Sequence, residues 1–101
     1  VSLRCWDLCA SPAAVLNLTG PETLSVRSIA NRFAERFGRE PVFAGEEGAN
    51  ALLNNAAQCH RRYGYPTVTP DELIDWTADW IARGGATLGK PTHFETRDGK
   101  F

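Results

Sequence analysis

Ala14-Val15-Leu16-Asn17-Leu18-Thr19-Gly20-Pro21-Glu22-Thr23-Leu24-Ser25, running on through Val26 to Phe37 and closing with Gly38-Arg39-Glu40-Pro41-Val42-Phe43-Ala44, is the stretch that decides the fold. Its first five residues are an apolar run too short for a helix and bounded by turn residues, which predicts a buried strand. Thr19-Gly20-Pro21-Glu22 reads as a loop by its punctuation. Ser25 is placed to cap a helix, because its hydroxyl can accept an orphan backbone N–H. Val26, Ile29, Ala30, Phe33 and Phe37 then recur at helical spacing as one apolar stripe, with Arg27, Asn31, Arg32, Glu35 and Arg36 on the polar side. Gly38 closes the helix, and Arg32, Arg36 and Arg39 sit near its negative end, where cations are favoured. Pro41 to Ala44 reads as a second strand. Strand, helix and strand in this order form a βαβ unit with a right-handed crossover.

Outward from that unit the signals are mostly helical. Val1 to Ala10 reads as a short helix with apolar residues Leu3, Cys5, Trp6, Leu8 and Cys9, ended by Ser11-Pro12. After the second strand comes a polar stretch, Gly45-Glu46-Glu47-Gly48-Ala49-Asn50. Asn55 then caps a short helix from Ala56 to Tyr63, ended by Gly64 and Pro66. Thr69-Pro70-Asp71-Glu72 is a capping box with proline at the first helical position. Leu73, Trp76, Thr77, Trp80 and Ile81 are the expected inward face of this last helix, and Gly84-Gly85 ends it. Residues 87–101 form a tail with turn signals at Gly89-Lys90-Pro91 and Asp98-Gly99. The expected fold class is α/β, an α+β lobe: a small βαβ unit with two further helices and an irregular C-terminal tail.

A chain of 101 residues, 43% hydrophobic and 23% charged, suits one domain whose stability is modest without a partner surface. A net charge of -1 argues against nucleic acid. Ser25 to Phe33 looks like the first helix of a helix-turn-helix, but Pro41-Val42-Phe43 stands where a recognition helix would have to follow. No apolar run approaches membrane-spanning length, and no signal-peptide pattern opens the sequence. Cys5, Cys9 and Cys59 are an odd number without a dense framework, so reduced thiols and a cytoplasmic setting are expected. With His60 they nominally supply four soft ligands, but Cys59-His60 lacks metal-site spacing, and the cysteines read as small hydrophobes.

No catalytic, cofactor-binding or metal-binding residue is expected within the chain. Neither G-x-G-x-x-G nor G-x-x-x-x-G-K-[ST] is present, and there is no G-x-S-x-G elbow. His60 and His93 are isolated from any triad-like pattern. Glu46-Glu47 is a carboxylate pair, but adjacent side chains tend to point apart, and a solvated loop is its plain alternative. Trp76 and Trp80 could form a stacking platform, but their company of Leu73 and Ile81 favours core packing.

Four motifs in order resemble the C-terminal part of the extended short-chain dehydrogenase/reductases, the NAD-dependent epimerase/dehydratase family. They are Asn17-Leu18-Thr19-Gly20-Pro21-Glu22, the helix Ser25 to Phe37 with Gly38, the segment Asn55 to Pro66 with its Tyr63-Gly64-Tyr65-Pro66 turn, and Val68-Thr69-Pro70-Asp71-Glu72-Leu73 through Trp80. The resemblance implies that residues 1–86 are a substrate-binding lobe and 87–101 a tail. It also implies that the parent enzyme carries an N-terminal Rossmann domain binding NAD or NADP and a Tyr-x-x-x-Lys pair, neither of which this chain contains. The chain opens at Val1 and has no Met, which reads as a piece of a longer polypeptide that is inactive alone. Glu46, Glu47, Asn50 and Asn54 are the residues expected to reach a small-molecule substrate. Many sugar-nucleotide members place an Arg where this chain has Gly45-Glu46-Glu47-Gly48. A carboxylate pair repels a diphosphate, which favours a smaller, neutral or cationic ligand. Apolar residues of Val1 to Cys9 and around Phe94 and Phe101 are expected to face the missing domain or, through Trp6 or Phe94, a second copy in a homodimer. The alternative is a stand-alone protein-interaction or oligomerisation module.

Overall fold

The computed structural model describes residues 1–51 and 53–91. The expectations placed on His93, Phe94 and Phe101 lie outside the described residues. Within them the order is a 3₁₀ turn at Cys5–Leu8, then α1 (Val26–Phe37), α2 (Ala57–Tyr63) and α3 (Pro70–Ala82).

The helix boundaries are set by local chemistry. Ser25 Oγ accepts the Ser28 N–H, and α1 ends where Gly38 turns left-handed at φ 59°. There the Gly38 N–H donates to Glu35 O at 3.3 Å and the Arg39 N–H to Ala34 O at 3.0 Å, the paired bonds of a Schellman motif. Asn55 Oδ1 accepts the Ala57 N–H at 3.0 Å and starts α2, which the Gly64 N–H closes on His60 O. In α3 the capping box is complete: Thr69 accepts from the Glu72 N–H while Glu72 accepts from the Thr69 backbone N–H at 2.8 Å. Its other end repeats the Schellman pair through Gly84 and Gly85. The Trp80 indole lies over this turn and donates to Ala86 O at 3.0 Å, so close to Gly85 that a Cβ there would collide with the ring.

The βαβ expectation is overturned. Among the described residues the structure is helical only, and residues 14–18 and 41–44 are neither helix nor strand. Val15 is 83% exposed and Val42 93%. A strand exists through another strand's N–H and C=O groups, and neither segment meets one. Side chains hold them instead. Asn17 Nδ2 donates to Asn55 O at 3.1 Å, and the Arg27 guanidinium lies 4.2 Å over the Phe43 ring.

Two further expectations are corrected. The helix over Val1 to Ala10 shortens to the 3₁₀ turn, since Arg4 at its start makes no side-chain cap. Cys5 Sγ therefore bonds Ser2 O while Cys9 is exposed, and the two do not share a buried helical face. On α3 the buried residues are Ile74 and Ala78, whereas Trp76 is 57% exposed and Trp80 51%. The face that meets α1 carries Asp71, Ile74, Asp75 and Ala78, at helical spacing of three and four. Arg32 reaches Asp71 and Arg36 reaches Asp75, so the two helices pack side by side and run in the same direction.

Among the described residues Ala56, Cys59, Ile74 and Ala78 are the buried apolar ones. The accessible surface is 9018 Å², whereas a compact 11.1 kDa protein exposes about 5,700 Å². The radius of gyration is 17.0 Å against about 13 Å for a compact chain of this length. Leu3, Trp6, Val15, Val42 and Trp76 are among the large apolar side chains left in solvent. Among the described residues no helix is long and apolar enough to cross a membrane.

Candidate functional site

A cleft of about 620 Å³ opens between the Gly20-Pro21 loop, the segment leading into α2, and α2 itself. Two tethers set its shape. His60 Nε2 lies 3.0 Å from Thr19 O across the cleft floor, and the Asn17 amide holds Asn55 O. A carbonyl only accepts, so Nε2 carries the imidazole hydrogen in this contact. The His60 ring also packs on Tyr65, with centroids 4.8 Å apart. Below this wall Cys59 is the most deeply buried side chain of the described residues, a packing element and not an accessible thiol.

The four residues expected to reach a substrate do not converge. Asn54 lines this cleft. Glu46 and Glu47 border a different, smaller hollow of about 170 Å³ together with Val26, Arg27 and Phe43. Glu47 Oε1 accepts from Arg27 Nη2 at 2.5 Å and from Nε at 3.1 Å. Asn50 is exposed on the bend that follows. The repulsion of a diphosphate expected from the pair is thus partly offset, because Arg27 compensates the charge on Glu47. Residues that the sequence reading passed over, Gly20, Thr23, Asn55, His60, Arg61 and Tyr65, line the cleft with Asn54. The signal that pointed there was the Gly20-Pro21 loop and the Asn54-Asn55 pair ahead of a helix, two features 34 residues apart with no local reason to meet.

A second polar cluster anchors the N-terminal turn to α2. Arg62 Nη2 donates to Asp7 Oδ2 at 2.6 Å, Tyr63 Oη donates to Asp7 Oδ1 at 3.2 Å, and Arg4 lies 5.2 Å over the Tyr63 ring. The Arg62 hydrogen bond holds the Asp7 carboxyl below its usual range. Desolvation pushes the Tyr63 phenol up, as does the Asp7 charge. Through its hydroxyl bond to Asp7 and the Arg4 guanidinium over its ring, Tyr63 anchors the N-terminal turn. Among the described residues no group of His, Cys, Asp and Glu could hold a metal ion.

No family model, no curated protein and no solved structure matches the chain.

Proposed function

We propose that the chain is the substrate-side C-terminal lobe of an NAD(P)-dependent epimerase/dehydratase-like enzyme and contributes binding surface, with the dinucleotide and the acid/base pair supplied by a Rossmann domain. The observation that carries this reading is the cleft. Two motifs on which the resemblance rests, the loop at residues 19–22 and the capped segment from Asn55, are tied together by His60 and Asn17, and both contribute residues to its lining. The amount of apolar surface left in solvent supports it as well. A lobe that normally packs on a second domain keeps that domain's footprint, and soluble monomers rarely expose patches beyond a few hundred Å².

The test uses the whole polypeptide that the gene encodes. That protein is expected to retain NAD or NADP, detected as nicotinamide fluorescence after reduction. Deleting the residues of this chain is expected to abolish turnover while the dinucleotide stays bound. A gene encoding no dinucleotide-binding domain, or a deletion that leaves turnover intact, would overturn the reading.

The second reading, a stand-alone interaction or oligomerisation module, draws on the same exposure of Leu3, Trp6, Val15 and Val42. A start codon just before Val1 in the gene is expected under this second reading, and an upstream dinucleotide-binding domain would remove it. The homodimer belongs to the first reading: a lobe without its second domain is expected to sediment as a dimer that weakens on dilution, and a chain monomeric at near-millimolar concentration would contradict the missing-partner argument.

A further inference from the structure

The cleft is biased toward hydrogen-bond donors. Among the described residues Arg61 is the charged residue of its lining, and the Glu22 carboxylate lies beside Gly20 of the wall without itself lining the cleft. Arg27, Arg32, Arg36, Arg62 and Arg83 each hold a carboxylate, whereas among the described residues Arg4, Arg39 and Arg61 do not, and of these three Arg61 alone lines the cleft. Among the described residues Arg61 has no such partner, although its neighbour Arg62 does. Asn55 Oδ1 is taken by the Ala57 N–H at 3.0 Å, so its side chain offers a ligand its NH₂ group. Asn54 adds a second amide and Tyr65 a hydroxyl. A planar guanidinium flanked by amide donors matches the two oxygens of a carboxylate or phosphate.

We propose that the cleft receives the oxyanion end of a small-molecule substrate, a carboxylate or phosphate group, on Arg61 with the Asn54 and Asn55 amides beside it, the body of the molecule lying against Pro21, Leu53 and the Tyr65 ring. This names a ligand class for the lobe of the preceding section and rests on that reading for the word substrate alone. It also replaces the neutral or cationic ligand inferred from Glu46 and Glu47, which border another hollow.

The test titrates the isotopically labelled full chain with inorganic phosphate and, separately, with acetate, at ionic strength held constant with chloride. Saturable shifts are expected at the side-chain amides of Asn54 and Asn55 and at Arg61 Nε–H. The anion that saturates at lower concentration identifies the group. Arg61→Gln is expected to weaken binding at least about tenfold, and Arg61→Lys to lose part of it, because the charge remains and the fork is gone. Shifts that never saturate with either anion, or equal binding by wild type and Arg61→Gln with an otherwise unchanged spectrum, would overturn the proposal. Either result leaves dinucleotide retention by the whole polypeptide untouched, so failure here and failure of the lobe reading are separate.

Discussion

Arg32 of α1 holds Asp71 of α3 through Nη1 and Oδ1 at 2.9 Å, one helical turn before Arg36 holds Asp75. The repetition of the same pair one turn later shows the two helices running in the same direction, with Ile74 and Ala78 buried on α3. The carboxylates of both pairs are more than half exposed while the Arg32 and Arg36 side chains are mostly covered, so solvent still screens the pairs; the Arg32–Asp71 coupling is expected at about 0.5 kcal/mol in a double-mutant cycle, weakening in high salt. Ile74→Ala, which removes buried methyl groups, is expected to cost about 2 kcal/mol. Thermal melts of these variants check both values, and a larger loss from the charge pair than from Ile74 would contradict this division.

The cap of α3 is expected to show in stability and in its pH dependence. Thr69→Ala removes the hydroxyl that accepts the Glu72 N–H, at a cost of about 1 kcal/mol. The Thr69 backbone N–H, and then its hydroxyl, hold the Glu72 carboxyl below its usual range. A carboxyl depressed on folding stabilises fully above its unfolded pKa, and that contribution is lost as pH falls through the folded one. Melts between pH 7 and 3 are expected to show the wild type losing more than Glu72→Gln, chiefly below pH about 4.3. Parallel curves would place the start of the helix elsewhere.

Asp7 ties the N-terminal turn to α2 by accepting from Arg62 and Tyr63. Asp7→Asn is expected to free this turn and speed proteolysis within residues 9–14, while the α1–α3 pair keeps its melting behaviour. Because the Arg62 hydrogen bond lowers the Asp7 carboxyl, the anchor is expected to be complete at neutral pH and to release as pH falls through that lowered value. Cleavage rates unchanged by the substitution would show that the anchor is not what holds the turn.

Gly85 is required by space, with the Trp80 indole packed where a side chain would begin. Gly85→Ala is expected to displace the indole, break its bond to Ala86 O and cost about 1–3 kcal/mol. Trp80→Phe, which loses the N–H and keeps most of the ring, is expected to cost less. Indole N–H chemical shifts with melts decide the order.

These elements differ in how far the sequence announces them. Ser25, Gly38, Thr69 and Gly84-Gly85 act within a few residues of themselves, and each starts or closes a helix where its chemistry says it should. The segments at residues 14–18 and 41–44 carry a strand's composition, but pairing is a non-local property and none occurs among the described residues. The expected inward face of α3, with Trp76 and Trp80 beside Leu73 and Ile81, is the exposed one. The charges of Asp71 and Asp75, answering Arg32 and Arg36, turn Ile74 and Ala78 inward instead. Of the candidate site Asn54 was legible. Arg61 was not, because what distinguishes it from Arg62 is the absence of a carboxylate across the fold.

The central claim is that this lobe is completed by a second protein surface, and hydrogen exchange at the amides of residues 14–18 and 42–44 tests it most directly. No helix or strand covers these amides in the chain alone. They are expected to exchange at nearly unprotected rates in the isolated chain and to slow by about a hundredfold or more when the same residues are part of the whole polypeptide. Equal rates in the two settings, or strong protection already present in the monomeric chain, would contradict the account.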